Sequence, residues 1–188
     1  MTMATAKTSS FWLTETVELT AVDTLVQGSI DLGAYVDIGS STSIAIQQVD
    51  WILQARDTAN DTFSNSLPGA ALGNTQWNFQ LMDLNPGTAF LRADDNTLIG
   101  SGGVYLDDGN SVISIGPDLF PDSFSSGSKL DNARFVVNDS LYIVAAFSGS
   151  GLAAARSYVV TVRIKAVIAR LKLADYVALA VQSTASDN

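Results

Sequence analysis

The side chains that most often carry protons and transfer groups are missing from this chain: of 188 residues, none is His and none is Cys. Without His there can be no Ser-His-Asp or Cys-His arrangement. Without Cys there is no disulfide, no thiolate nucleophile and no cysteine metal site. Carboxylates remain, and 17 of the 19 acids are Asp. Asp94, Asp95 and Asn96 form one Asp-rich loop, and Asp107, Asp108, Gly109 and Asn110 form another. Both offer hard oxygen ligands to calcium, but neither has the spacing of an EF-hand loop. Asp-Gly and Asp-Asn are also favoured turn residues that tolerate left-handed backbone. Turns are therefore the first reading, with calcium as the alternative, and no other cofactor is expected. Paired carboxylates can hydrolyse glycosides, but the spacing that matters is spatial, and solvation is the commoner use of Asp in an acidic protein. No enzyme is expected.

Other groups of residues have equally ordinary readings. Gly100, Gly102, Gly103, Gly149 and Gly151 lack the helix and the Lys-Ser/Thr that complete a phosphate-binding loop, and read as strand ends and bulges. Trp12, Trp51 and Trp77 would make a sugar-stacking platform if they met on one face; the reading we take is three core residues with bonded indole N–H groups. Arg163, Lys165, Arg170 and Lys172 are the one basic cluster, without interleaved stacking aromatics. They fit a solvated strand face or a partner for the acidic part of a neighbouring copy.

The net charge of −9 and pI of about 4.2 set a field that repels phosphate backbones, so no direct nucleic-acid contact is expected. The charge is unevenly placed. Residues 1–128 hold 15 acids and 3 bases, whereas residues 129–188 hold 4 acids and 7 bases. Charged residues are only 15% of the chain against 47% hydrophobic, which leaves apolar surface for partners. The longest uncharged apolar run, 141–147, is far short of a membrane-spanning helix, and no transmembrane segment is expected.

The elements that must position these residues are strands. Runs of β-branched and aromatic residues recur between Gly, Asp, Asn, Ser and Pro clusters, which predicts an all-β antiparallel sandwich. Nine strands are read near 11–19, 24–32, 43–54, 75–84, 97–106, 111–115, 133–138, 141–147 and 158–168. In the last, Tyr158, Val160, Val162, Ile164 and Ala166 alternate with Thr161, Arg163 and Lys165, so one face is core and the other is wet or paired. The run 141–147 is apolar on both faces, with Tyr142, Val144 and Ala146 on the second. Something must cover that side, and the C-terminal segment or a neighbouring subunit is the expected cover. Leu173, Tyr176, Val177, Ala180 and Val181 recur at helical spacing, predicting a short terminal helix near 171–182. The division expected is a flexible lead over 1–10 and a single domain over 11–183. Two long loops, 57–74 and 116–131, are candidates for contacts, the second through Leu119, Phe120 and Phe124.

The stretches ETVELT from Glu15, QGSIDLGAYVD from Gln27 and IQQVDWILQ from Ile46 resemble the first strands of small single jelly-roll major capsid proteins of tailless icosahedral, often membrane-containing viruses of archaea and bacteria. The resemblance is one of length, strand rhythm and style over about a third of the chain. It implies a single jelly roll of about eight to nine strands that is nonenzymatic, soluble until it assembles, and then tiles upright into a virion shell. It carries no catalytic motif. Its implied partners are copies of the same chain, with a second coat protein and an internal viral membrane as further candidates. Arg163, Lys165, Leu119, Phe120 and Phe124 are the expected subunit contacts. The alternative in a different class is a carbohydrate- or receptor-binding sandwich module of a fibre or extracellular protein.

Overall fold

A computed structural model describes residues 4–64, 66–87, 89–115, 130 and 133–185. Its strands are β1 (Ala4–Ala6), β2 (Phe11–Leu19), β3 (Val26–Asp31), β4 (Thr42–Asp57), β5 (Thr62–Ser64), β6 (Thr75–Met82), β7 (Leu98–Asp107), β8 (Val112–Ile115), β9 (Arg134–Val136), β10 (Ser140–Gly149) and β11 (Arg156–Leu171). One helix, α1 (Leu173–Ala185), follows. The first sheet runs β2-β11-β4-β9, with β1 extending the β2 edge along β11 and β5 sharing the outer edge of β4 with β9. The second runs β3-β10-β6-β7-β8.

These pairings have one logic. Going along the chain, β2, β3, β4 and β6 pair antiparallel with β11, β10, β9 and β7, so the first half of the ribbon pairs in reverse order with the second. A ribbon folded this way and rolled into two facing sheets is a jelly roll. The chain is therefore an antiparallel sandwich of eight principal strands, with β1, β5 and β8 as short additions.

The sheets close on a core that follows the period of two. Tyr158, Val160, Val162, Ile164 and Ala166 of β11 meet Trp77, Phe79 and Leu81 of β6 and Leu141, Ile143, Ala145 and Phe147 of β10. Trp77 and Phe147 each set a ring edge-on to Tyr158, at centroid distances of 4.8 and 5.1 Å, the geometry the ring quadrupoles favour. Burial raises the Tyr158 phenol to about 12. Neither its hydroxyl nor the Trp77 Nε1 has a hydrogen-bond partner among the described residues, so the bonded indole expected for a core Trp is absent here.

On β4 the period changes phase once. Ile44 and Ile46 point inward, but beyond Gln47 the inward residues are Val49, Trp51, Leu53 and Ala55. The ladder with β11 skips Gln47, pairing Lys165 with Gln48 and Ala166 with Ile46, so a single bulged residue switches parity and keeps both apolar sets in the core.

Several expectations need correction. The sequence predicts no strand before Phe11 or between 57 and 74, yet Ala4–Ala6 pairs with Ala169 to Leu171, and Thr62–Ser64 pairs with Ala55 to Asp57. The helix begins two residues later than expected because Leu171 is still in β11, where its side chain packs with Val137 and Tyr176. The outer side of β10 is not covered by that helix, and Tyr142 and Ala146 stay half-buried on it. The loop between β6 and β7 is tied across this face: the Gln80 amide donates to Leu91 O and accepts from Leu91 N, both at 2.8 Å, and Gln27 Nε2 donates to Asn85 Oδ1 at 2.9 Å. Gln80 and Gln27 flank Val144 in the ladder, and Val144 is fully buried. Helix α1 instead covers the end of the first sheet, where Tyr176 inserts and its hydroxyl donates to Val137 O at 3.3 Å.

Candidate functional site

Alternation along β11 puts Arg163 and Lys165 on the outer face of the first sheet. Arg163 stands across from Thr14 and Asp50, and Lys165 across from Trp12 and Gln48. The Arg163 guanidinium lies over the Trp12 ring, 4.6 Å from its centroid, a cation–π contact. Trp12 is thus not a core residue; it is 43% exposed beneath that guanidinium. Asp50 accepts a 2.6 Å hydrogen bond from the Gln48 amide. The three tryptophans do not form a platform: Trp77 is in the core, Trp51 is half-buried against Phe79, and Trp12 is on the outer face.

The four expected bases are split into two pairs. Arg170 lies seven residues beyond Arg163, ~23 Å along an extended strand, and Lys172 follows it at the foot of α1. Other bases are occupied within the chain. Arg56 bridges Glu18 and Asp61, both at 2.8 Å, and Arg156 meets Asp57 at 2.9 Å. The Ser157 hydroxyl, then Arg56, hold Glu18 below the usual carboxylate range, opposed by partial burial. Among the described residues, Lys165, Arg170 and Lys172 form no ion pair and remain available to partners.

The Asp-rich loops are turns. Asp95 Oδ1 accepts from the Thr97 amide and hydroxyl at 2.8 and 2.6 Å, Asp94 pairs with Arg92, and the Asp107 carboxylate caps the backbone and side chain of Asn110. Among the described residues no three acidic side chains gather where an ion would sit.

Exposed apolar residues collect at two places. Leu173, Val177 and Val181 of α1, with Ile38 from the turn before β4, rim a hollow of about 300 Å³ floored by Tyr176 and Ala180. At the edge of the second sheet, Tyr105, Val112, Ile113 and Ile115 of the β7–β8 hairpin are exposed. Leu119, Phe120 and Phe124, expected as contacts, lie outside the described residues. A second hollow, of about 260 Å³ and on the second sheet, is lined by uncharged groups: Asn78, Gln80, Phe90, Ser101 and the backbone of Gly102 and Gly103, with Phe79.

Sequence reasoning missed an ion pair beneath α1 between a buried Asp and a half-buried Arg. Asp83, 4% exposed, sits 3.8 Å from Arg134, whose guanidinium also donates to Asn96 O. A cavity of about 20 Å³ separates this pair from Leu179 and Gln182 of the helix, room for about one water. Asp83 Oδ1 and Arg134 Nε have no protein partner among the described residues. Burial pushes the Asp83 carboxyl up to about 6 against the pull of Arg134. In the sequence, Asp83 falls at the end of the strand read over 75–84, and nothing there marks its carboxyl as buried.

No known family profile and no curated protein matches the chain. Among solved structures it is similar to VP1 of Trichodysplasia spinulosa-associated polyomavirus, solved in complex with sialylated precision glycooligomers, with 10% identity, TM-score 0.40 and coverage of 84% of this chain and 94% of that one. It is also similar to a chain of Desmodium yellow mottle tymovirus, at 7% identity, TM-score 0.30 and coverage of 88% and 90%. A chain of turnip yellow mosaic virus matches at 10% identity, TM-score 0.31 and coverage of 87% and 95%.

Proposed function

We propose that this chain is a coat subunit, soluble until it self-assembles into the shell of a virion, as its sequence resemblance to small jelly-roll major capsid proteins of tailless icosahedral viruses implies. The observation that carries the self-assembly is the placement of exposed apolar side chains. Leu173, Val177, Val181 and Ile38 line one contiguous surface, and Val112, Ile113 and Ile115 line a sheet edge, on a chain with few charges to solvate it. Arg163 and Lys165 then set orientation by facing carboxylates of a neighbour, since exposed pairs are worth only ~0.2–1 kcal/mol each and apolar burial supplies most of the affinity.

Electron microscopy and light scattering of concentrated protein across salt and calcium conditions test the proposal. Rings or shells are expected, intact or strengthened as salt rises, because apolar contacts are not screened. Dispersed monomers under every condition would overturn the coat reading, and assemblies that dissolve in salt would overturn the apolar account of their stability.

The uncharged hollow bordered by Phe90, with amide and hydroxyl groups around it, favours the second reading, a carbohydrate-binding module. Glycan-array binding by a monomer, lost on Phe90→Ala, would establish it in place of the coat reading.

A further inference from the structure

Helix α1 has two apolar faces. Tyr176, Leu179 and Ala180 face Val137 and Leu171 of the sheet end. Leu173, Ala174, Val177, Ala178 and Val181 form a second face that is exposed throughout, with Leu173, Val177 and Val181 between 50% and 63% accessible. A helix lying on a globular body normally turns polar residues to water; one that is apolar all round is covered on all sides. Ala174 and Ala178 keep one flank of the exposed face low, so that another helix can approach closely there.

The charges around the helix indicate what covers it. Arg170 and Lys172 are exposed at its N-terminal foot, the end at which the helix dipole disfavours cations, and its last turn contains no basic residue. A second α1 laid antiparallel across the first resolves both mismatches, because each basic foot then lies beside the carbonyl end of the other helix. We infer that the exposed face of α1 is a two-fold contact with α1 of a second copy, Val177 meeting its own equivalent at the axis and Leu173 meeting Val181. This inference rests on the self-assembly reading and specifies one of its interfaces. The face from Leu173 to Val181 is only ~12 Å long, so the pairing is weak alone and is populated in concentrated or assembled protein.

The chain has no Cys, which makes the geometry directly testable by single-cysteine oxidation. Val177→Cys should form a disulfide-linked dimer in concentrated full-length protein, because only a residue on the axis comes within the 4.4–6.8 Å Cα separation that a disulfide tolerates. Leu173→Cys should not link to itself but should link to Val181→Cys when the two variants are mixed. Both positions are exposed, and unchanged tryptophan fluorescence confirms that each variant is folded. Absence of the 177–177 link, or self-linking of Leu173→Cys as efficient as that of Val177→Cys, overturns the antiparallel pairing. Flotation with phosphatidylcholine–phosphatidylglycerol vesicles, lost on Val177→Ser and without the 177–177 link, assigns the face to a lipid surface and also overturns it. Shells that form from unlinked Val177→Cys would sink this contact while leaving the coat reading standing.

Discussion

Asp83 makes the stability of this protein depend on pH in the direction opposite to that of ordinary acid denaturation. Its folded carboxyl titrates at about 6 instead of near 3.8, because burial disfavours the anion more than Arg134 favours it. A folded pKa raised above the unfolded one means that the native state holds the proton more tightly. The contribution of this group is therefore fully present below the unfolded pKa and is lost as pH rises through the folded one. Between about pH 7.5 and about pH 4.5, linkage gives a gain of about 2 kcal/mol from Asp83 alone. Glu18, Asp37 and Asp57 are shifted the other way, so their contributions are present at neutral pH and are lost as pH falls. Comparison with Asp83→Asn isolates the first effect, since the amide keeps the shape and cannot titrate. Urea unfolding followed by tryptophan fluorescence at steps across that range should show the wild type gaining about 2 kcal/mol on the variant as pH falls, with most of the change centred between about pH 4 and pH 6. Parallel pH profiles for the two proteins would refute the buried-carboxylate account, whatever the absolute effect of the substitution on Arg134.

Three further substitutions test other parts of the structure. A Cβ on Gly102 would lie 3.1–3.2 Å from two Phe79 ring carbons and closer still to Cε2, so Gly102→Ala should cost roughly 1–3 kcal/mol in denaturant melts, less in a Phe79→Leu background; additive costs would show that the ring is not the obstacle. Gly149 has φ of +102° with its open side against Asn74 O, so Gly149→Ala should destabilise more than Gly102→Ala by thermal melt, and a neutral effect would remove the strain argument. Arg163→Glu with Lys165→Glu should leave the circular dichroism unchanged but misdirect assembly seen by microscopy; normal shells would remove the orienting role, and failure to fold would make the Arg163–Trp12 contact structural.

The sandwich was legible because long strands carry their own pattern. β11 pairs with strands on both sides over most of its 16 residues, and its alternation from Tyr158 to Ala166 survives in the burial of each residue. β1 and β5, three residues each, have no room for a pattern and exist because longer strands offer them an edge. The bulge at Gln47 left a trace in the shift from Ile44 and Ile46 to Val49, Trp51 and Leu53, a change of parity that only its partner strand explains. The placement of Trp12 was harder to read. Its strand alternates, but its position under Arg163 depends on which residue of β11 lies opposite, and register is a long-range property.

The same reasoning explains why the candidate contact surface was only half visible. Helical spacing picks out Leu173, Tyr176, Val177, Ala180 and Val181 as a single apolar set, and a single set implies a single buried face. The sheet end accepts only part of it. Tyr176 fills the space beside Val137 and Leu171, which turns Leu173, Val177 and Val181 outward next to Ile38. A width of apolar surface that looks like ordinary amphipathicity along the chain thus becomes, once one side is docked, a second face left exposed beside Ile38. The Asp83–Arg134 pair lies under the docked side, so the loss of the buried Asp83 charge at low pH acts at the base of the helix whose other face is left for a partner.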